Sequence, residues 1–305
     1  MNPSDSTTVP TKPAPTMIGL AMPEWDRWSE RVVVALGLNP GLFTGPGTNT
    51  YLIGTGRARI LLDPGQGAAG YLDVLERAMA RSGCESIQEI VLTHGHVDHL
   101  GGVGQVVERF GPLRVSKLPW PDFDAPCPAP LTAIDDGSVL RTEGATLRAV
   151  HTPGHAPDHL CFVLEEEQAL FSGDNVLGVG TTVIPDGGGD LLDYLRSLER
   201  LLAEAPRRIY PAHGPVIENG VAKLREYIAH RADRERQILA ALAQGAAPIA
   251  VLVPRVYTDV PEVLHAAAAH SVAAHLRKLE REGRARRQDA RPAREAVWSL
   301  ARQTT

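Results

Sequence analysis

The chain has 305 residues, which is more than one small domain needs and fits one large domain with an appended module. Its charged fraction of 22% and hydrophobic fraction of 43% are those of an ordinary globular protein, which excludes a fibrous or disordered class for the chain as a whole. No stretch approaches the roughly 18 apolar residues that a transmembrane helix needs, so no membrane contact is expected.

Residues 1–28 are predicted to form a mostly disordered tail. The first sixteen are rich in Pro, Thr and Ser and lack the basic and apolar regions of a signal peptide. They hold one Lys and no Arg, which argues against a mitochondrial presequence. The cysteines show no C-x-x-C spacing, which argues against a disulfide framework; they are Cys84, Cys127 and Cys161. A cytoplasmic protein with reduced thiols is therefore expected.

Residues 29–219 are predicted to form a layered α/β domain, because short apolar runs ended by Gly or Pro alternate with helical patterns. The strand-like runs are residues 31–37, 48–54, 58–65, 89–93, 145–155, 169–174 and 207–215. The helical patterns are residues 69–83 and 191–202.

Residues 220–305 are predicted to form a winged-helix-like α-helical module. A long amphipathic helix is followed by an apolar segment, a second helix within residues 261–283 and a basic stretch that suits a hairpin. This part holds 15 Lys+Arg against 9 Asp+Glu, whereas the rest of the chain holds 16 against 27. Such a split is typical either of contact with an anionic polymer or of a solvated helical surface, and the composition does not choose between them.

The stretch "THGHVDHLGG", residues 93–102, places four metal-ligand side chains within six positions at the end of a predicted strand. Three later strands also end in a His or an Asp, and sheet loops bring such residues together. The set suits two metal ions, with His94, His96 and His155 for one, Asp98, His99 and His213 for the other, and Asp174 as a bridge. Mixed imidazole and carboxylate ligands favour zinc, with iron or manganese as alternatives.

Paired divalent ions lie about 3.5–4 Å apart and lower the pKa of a bound water from 15.7 to about 7. The pattern therefore predicts a hydrolase in which a metal-bridging hydroxide attacks carbon or phosphorus. Asp98 is the expected catalytic residue, because its carboxylate can orient or deprotonate the nucleophile.

H-x-H-x-D-H at residues 94–99, followed in order by His155, Asp174 and His213, resembles the metallo-β-lactamase superfamily. The resemblance implies an αββα sandwich with a dinuclear site at one edge of the two sheets and the same ligand assignment. Further segments are similar to the β-lactamase-like protein 2 group, which are endoribonucleases that cut single-stranded RNA and share the winged-helix-like module. They are residues 39–56, 143–183, 209–220 and 275–283.

Polyketide-releasing thioesterases and glyoxalase II share the same core, so a small acyl thioester or ester is the alternative substrate. Three features depart from the nuclease pattern: Val97, where a basic residue is expected, the Pro-rich segment 120–130 and the Gly-rich segment 185–190. These segments are expected to border the substrate cleft.

Five further residues are candidates for the site. Asp63 is expected to orient a ligand histidine, the alternative being a turn-forming Asp before Pro. His151 and His159 flank His155 and could contact substrate, the alternative being a structural histidine. Lys278 and Arg281 belong to a basic run that could bind RNA phosphate, the alternative being a solvated helix end.

The leading expectation is an endoribonuclease acting on single-stranded RNA. The second is a thioesterase or related acyl hydrolase, because an acidic catalytic domain does not suit a general RNA binder. A binding module with a structural metal site is the third, and the complete ligand set with open positions disfavours it. The sequence does not determine the oligomeric state.

Overall fold

Two facing sheets organise the catalytic part of the chain in the computed structural model, which describes residues 17, 19–258 and 260–301. The first sheet has seven strands in the order of the chain. They are β1 Trp25–Arg27, β2 Val32–Leu36, β3 Asn49–Ile53, β4 Ala58–Leu62, β5 Ser86–Val91, β6 Val115–Lys117 and β7 Leu131–Ala133. Strands β1 to β4 pair antiparallel, and β4 to β7 pair parallel.

The second sheet has five strands in the order β12-β11-β10-β9-β8. They are β8 Val139–Thr142, β9 Ala145–His151, β10 Leu160–Leu164, β11 Ala169–Gly173 and β12 Arg208–Pro211. Because β11 and β12 pair parallel, their carboxyl ends lie at the same edge of this sheet.

Helices pack on the outer face of each sheet, with α1 Tyr71–Ser82 and α3 Val103–Phe110 on the first sheet and α5 Leu191–Ala203 and α6 Gly220–Ala243 on the second. Two short helices, α2 Val97–Leu100 and α4 Pro121–Asp124, follow β5 and β6. Helix α1 buries residues at helical spacing and ends at Gly83, whose φ of 77° is the left-handed conformation that glycine tolerates. Helix α5 begins after Asp190, whose side chain accepts hydrogen bonds from the first free backbone N–H groups.

The core shows why β2 is apolar at every position. Val32 and Val34 pack between the two sheets with Phe162 and Phe171. The intervening residue Val33 packs on the other face against α1 and α3. A strand covered on both faces has no solvent side, so its apolar and polar residues do not alternate. Together with a third cluster under α5 and α6, this gives the αββα sandwich that the sequence predicts.

The C-terminal module consists of three helices and a small sheet of order β13-β15-β14. After α6, it contains β13 Ala247–Pro248, α7 Ile249–Val256, a 3-10 turn Glu262–Leu264, α8 His265–Arg281, β14 Ala285–Arg287 and β15 Val297–Leu300. Trp298 is fully buried in its core. The predicted winged-helix-like arrangement is confirmed.

Helix α6 belongs to two cores. Leu224 and Tyr227 pack against the second sheet and α5, whereas Ile238 and Leu242 pack inside the C-terminal module. The predicted boundary at residue 220 therefore falls at the start of a helix that joins the two units, and the domain limits 29–219 and 220–305 stay predictions.

The N-terminal assignment differs from the structure in part. Strand β1 lies within the stretch 1–28 that the sequence predicts to be a tail, and it pairs with β2 from Trp25 to Arg27. Residues 1–16 and 18 lie outside the described residues. No helix among the described residues is long and apolar enough to cross a membrane. The chain's three cysteines are free thiols.

Candidate metal centre

The predicted ligand side chains lie at the edge where the two sheets meet. The turn after β5 carries the first four, and the segments after β9, β11 and β12 carry His155, Asp174 and His213. The structure brings all seven together in two groups, each with one ligand atom per residue within 4.8 Å of the others. The groups are His94, His96 and His155, and Asp98, His99, Asp174 and His213.

Three ring nitrogens converge in the first group. His94 Nε2 lies 2.9 Å from His96 Nδ1, and His155 Nε2 lies 3.0 Å from the same atom. The three imidazole nitrogens form a donor set of the kind that zinc accepts.

Asp174 lies between the two groups. Its Oδ2 atom is 3.4 Å from His155 Nε2, and its Oδ1 atom is 3.1 Å from His213 Nε2 and 3.4 Å from His99 Nε2. Asp98 Oδ2 closes the second group at 3.3 Å from His213 Nε2. One carboxylate thus faces both donor sets, which is the arrangement expected of a bridging ligand.

A second observation also indicates that these residues fit two metal ions. His99 Nε2, His213 Nε2 and Asp174 Oδ1 are buried atoms without a hydrogen-bond partner. Such orphaned polar atoms are costly unless something compensates them. All three point into the second group, where a divalent ion would satisfy them together.

In four of the five candidate ligand rings, the protein holds the nitrogen that faces away from the centre. His99 Nδ1 donates to Asp63 Oδ2 at 2.8 Å, and Thr93 donates its backbone N–H and hydroxyl to the same carboxylate. Thr93 Oγ1 in turn accepts from His94 Nδ1 at 3.0 Å. Asp63 therefore orients two histidines, one directly and one through Thr93, and fixes which nitrogen faces the centre.

Backbone carbonyls orient two further rings. His155 Nδ1 donates to Val183 O at 2.8 Å, and His213 Nδ1 donates to Gly47 O at 3.3 Å. His96 is the exception, because its Nδ1 atom faces the centre.

Two glycines allow this packing. A Cβ on Gly102 would lie 2.1 Å from Pro64 O, so the turn after α2 could not approach the strand that carries Asp63. Gly154 has a φ of 126°, and its Cβ would lie 2.3 Å from Tyr194 Cα. Both positions exclude a side chain for steric reasons.

Four of the candidate ligand histidines fall into two pairs with opposite shifts in pKa. Burial, and then repulsion by His155, lowers the pKa of His96 to about 4, and burial with neighbouring histidines holds the pKa of His94 well below its usual value. Burial alone would also lower the pKa of His213, but the neighbouring Asp174 carboxylate raises it to about 9. His99 behaves in the same way, because Asp98, Asp63 and Asp174 outweigh its burial and raise its pKa.

The two histidines predicted to contact substrate are held by hydrogen bonds within the protein. His159 is fully buried, with Nδ1 near Thr152 Oγ1 and Nε2 accepting from the Asp174 N–H at 3.1 Å, so its ring positions Asp174 and is closed to substrate. His151 Nε2 donates to Pro157 O at 2.9 Å. These contacts agree with the alternative of structural histidines.

The basic candidates are ion-paired within the chain. Lys278 is buried and contacts Glu235 at 2.6 Å and Glu282 at 2.7 Å. Arg281 is half exposed and contacts Asp190 at 2.6 Å. Neither side chain is brought to the two ligand groups.

The sequence did not reveal three residues under the histidine turn. Asp158 is fully buried, accepts from the Gly95 N–H at 2.8 Å and contacts Lys117 Nζ at 2.5 Å. Phe123, in the Pro-rich segment, packs on the His96 ring at a centroid distance of 5.6 Å. The only signal for Asp158 was its place in the "HAPDH" stretch beside His155.

Residues 43–213 match the family model described as "Metallo-beta-lactamase superfamily", and residues 249–298 match "Beta-lactamase associated winged helix domain". The chain is 43% identical to "Atrochrysone carboxyl ACP thioesterase" of Aspergillus fumigatus, over 79% of this chain and 78% of the relative. It is 42% identical to "Beta-lactamase-like protein 2 homolog" of Drosophila melanogaster, over 87% and 93%, and 40% identical to that of Caenorhabditis elegans, over 85% and 87%.

Solved structures agree on the fold. A metallo-beta-lactamase family protein from Thermus thermophilus superposes with a TM-score of 0.68 at 26% identity, over 83% of this chain and 93% of that one. A beta-lactamase domain protein from Burkholderia ambifaria gives 0.76 at 19% identity, over 91% and 93%, which shows the fold alone. With its ligand pattern, sandwich and appended winged helix, the chain belongs to the metallo-β-lactamase superfamily of hydrolases.

Proposed function

We propose that the chain is a dinuclear metal-dependent hydrolase that cleaves small acyl thioesters or esters. The observation that carries the reaction class is Asp174, whose two oxygens face two separate donor groups. Two divalent ions bound there, preferably zinc, would supply Lewis acidity and lower the pKa of a water to about 7.

The chain's own residues have separate tasks in this proposal. His94, His96 and His155 hold one ion, while Asp98, His99 and His213 hold the other, and Asp174 is shared. Asp98 is the most exposed carboxylate of the centre, with 18% of its side chain accessible against 13% for Asp174. Its second oxygen can accept a proton from the attacking water, which makes it the proposed catalytic residue.

The surroundings of the centre favour an acyl substrate. Val97 lies between two ligand positions and is 57% exposed, and the Phe123 ring packs on His96. An exposed apolar residue at this place suits an acyl chain better than a phosphate.

Charge pairing favours the same substrate. Five cations of the basic run at residues 277–287 form ion pairs with acidic residues of the chain, and they are Arg277, Lys278, Arg281, Arg284 and Arg287. To neutralise a phosphate of RNA, a cation of this run must leave the acidic residue that it contacts in the chain. The relative from Aspergillus fumigatus is named as a thioesterase, which agrees with this choice.

Endoribonuclease activity on single-stranded RNA is the second candidate. It is supported by the two β-lactamase-like protein 2 homologues, because the similarity to them extends over 85% and 87% of the chain. A bridging carboxylate and an open centre would serve attack on phosphorus as well as on carbon.

One parallel assay separates the two. The purified protein, loaded with zinc, is given a series of acyl thioesters of increasing chain length and, separately, a fluorescently labelled single-stranded RNA. We expect thioester cleavage that is lost on chelation and falls at least about a hundredfold in the Asp98→Asn variant. The matched control is Asp26→Asn, an exposed carboxylate on β1 far from the centre in sequence.

The outcomes are distinct. RNA cleavage without thioester cleavage, lost in the same variant, would move the assignment to the nuclease. Full activity of Asp98→Asn on either substrate would contradict the proposed role of that carboxylate.

A further inference from the structure

Arg231 is a buried cation at the junction of the two units. It lies on α6, is 2% exposed, and forms no ion pair within the described part of the chain. Its Nε atom has no hydrogen-bond partner. Burying a charge without a counter-charge costs free energy, so the contacts that Arg231 makes must offset this cost.

Those contacts reach the catalytic domain. Arg231 Nη2 donates to Thr182 O at 2.6 Å, and its guanidinium lies over the Tyr194 ring of α5 at 5.2 Å. Nη1 donates to Ser271 Oγ of α8 at 3.3 Å. A planar guanidinium can bridge three elements in this way, whereas a lysine has no such fork.

Tyr227, one turn earlier on α6, holds the same segment. Its hydroxyl accepts from the Leu177 N–H at 2.8 Å and donates to Gly180 O at 2.9 Å. Like Arg231, it is fully enclosed. Two side chains of one helix face thus bind the backbone at three points between residues 177 and 182.

The segment held by Arg231 and Tyr227 follows one candidate metal ligand in the chain and contacts another. It begins just after Asp174 and runs to Val183, whose carbonyl accepts from His155 Nδ1 at 2.8 Å. The Thr182 hydroxyl lies 3.3 Å from the same ring nitrogen. A shift of this segment would turn the His155 ring, and with it the Nε2 atom that faces the centre.

We propose that Arg231 and Tyr227 are positioning residues for the metal centre. By fixing residues 177–183, they hold the carbonyl that orients His155, so that the C-terminal module sets the affinity of the first donor group. This inference rests on the proposed role of His155 as a metal ligand. It does not depend on the substrate.

The test measures metal affinity. Metal-free wild type and variants are titrated with Co²⁺ against a competing chelator and followed by visible absorption. In Arg231→Met and Tyr227→Phe, we expect one of the two ions to bind about tenfold more weakly, the lower end of what loss of a ligand-orienting partner costs. Arg231→Lys should restore part of the affinity, because one donor to Thr182 O returns.

Arg234→Met is the matched control. Arg234 lies three residues further on α6 and donates to Val256 O while stacking on Tyr257, so its contacts stay within the C-terminal module. A purely structural role predicts that all the variants lower the melting temperature and leave both affinities unchanged.

If Arg231→Met and Tyr227→Phe bind each ion with the same affinity as the wild type, the inference is overturned. If Arg231→Met does not fold, Tyr227→Phe decides, because it removes one hydroxyl and keeps the ring. A wild-type protein that binds fewer than two ions would instead overturn the dinuclear assignment, and this inference with it.

Discussion

The histidines of the two donor groups differ in the protons they carry before metal binds. At pH 7 the pKa of about 4 leaves His96 neutral, whereas the pKa of about 9 leaves His213 protonated. A histidine must be in its neutral form to bind a metal ion. Metal binding at the second group must therefore displace a proton, while His94 and His96 have none to release.

This difference predicts an unequal dependence of the two metal affinities on pH. Between pH 6 and pH 8 the affinity for the ion at the second group should rise about tenfold per pH unit for each proton released, and His94 and His96 should add nothing to the pH dependence of the first group. Calorimetric titration of the metal-free protein with zinc, in two buffers of different ionisation enthalpy, counts the protons. If the binding of each ion releases the same number of protons at pH 7, the assignment of a neutral His96 and a protonated His213 is contradicted.

At this scale the sequence predicted the candidate ligands but not their surroundings. The seven ligand positions were recognisable because four lie within six residues and the rest follow strands. Asp63 could be proposed, and the structure places it against His99. Lys278 and Arg281 were candidates for phosphate contact, but a sequence does not show that Glu235 and Asp190, distant along the chain, lie beside them.

At the scale of elements, one buried ion pair supports the histidine turn. Strand β6 ends at Lys117, whose Nζ lies 2.5 Å from Asp158 Oδ2 and 2.8 Å from Asp124 Oδ1. Asp158 also accepts from the Gly95 N–H, between two ligand histidines. Lys117 thus connects β6, the turn after β5 and the helix α4 that carries Phe123.

Replacing Lys117 by Met should destabilise the protein by about 3–5 kcal/mol, because the buried Asp158 loses its counter-charge. Urea unfolding followed by circular dichroism measures this difference. The control is Arg57→Met, which breaks an ion pair with Glu85 whose side chains are 80% and 56% exposed, and which should leave the stability nearly unchanged. Similar losses in the two variants would show that Lys117 does not act through a buried charge.

The elements differ in how far the sequence could predict them. Helix α1 and strand β2 carry strong periodic or continuous apolar patterns and lie where expected. Strands β6 and β7 have three residues each, too few for a pattern, and are defined by pairing with β5 and with each other. The helix α4 has four residues in a Pro-rich stretch, too few for a periodic pattern, and the packing of Phe123 on His96 is a contact that the sequence does not show.

At the scale of the whole molecule, the metal centre joins both sheets. The turn after β5 belongs to the first sheet, whereas Asp174 and His213 follow β11 and β12 of the second. Ions bound there would cross-link the two halves of the sandwich. The second sheet packs in turn on α6, which is shared with the C-terminal module.

Removal of metal should therefore lower the stability of the molecule as a whole. An ion present at a thousand times its Kd stabilises the native state by about 4 kcal/mol. For a domain of this size, its loss should lower the melting temperature by on the order of 10 °C. Scanning calorimetry with and without EDTA measures the shift, and EDTA already saturated with zinc is the control.

The shape of the transition carries further information. Because α6 contributes to both cores, the transition of the C-terminal module should move with that of the catalytic domain when metal is removed. The reason is that a helix buried in both cores cannot leave one of them without exposing apolar surface of the other. If the transition of the catalytic domain shifts while a separate C-terminal transition stays fixed, α6 does not couple the two units.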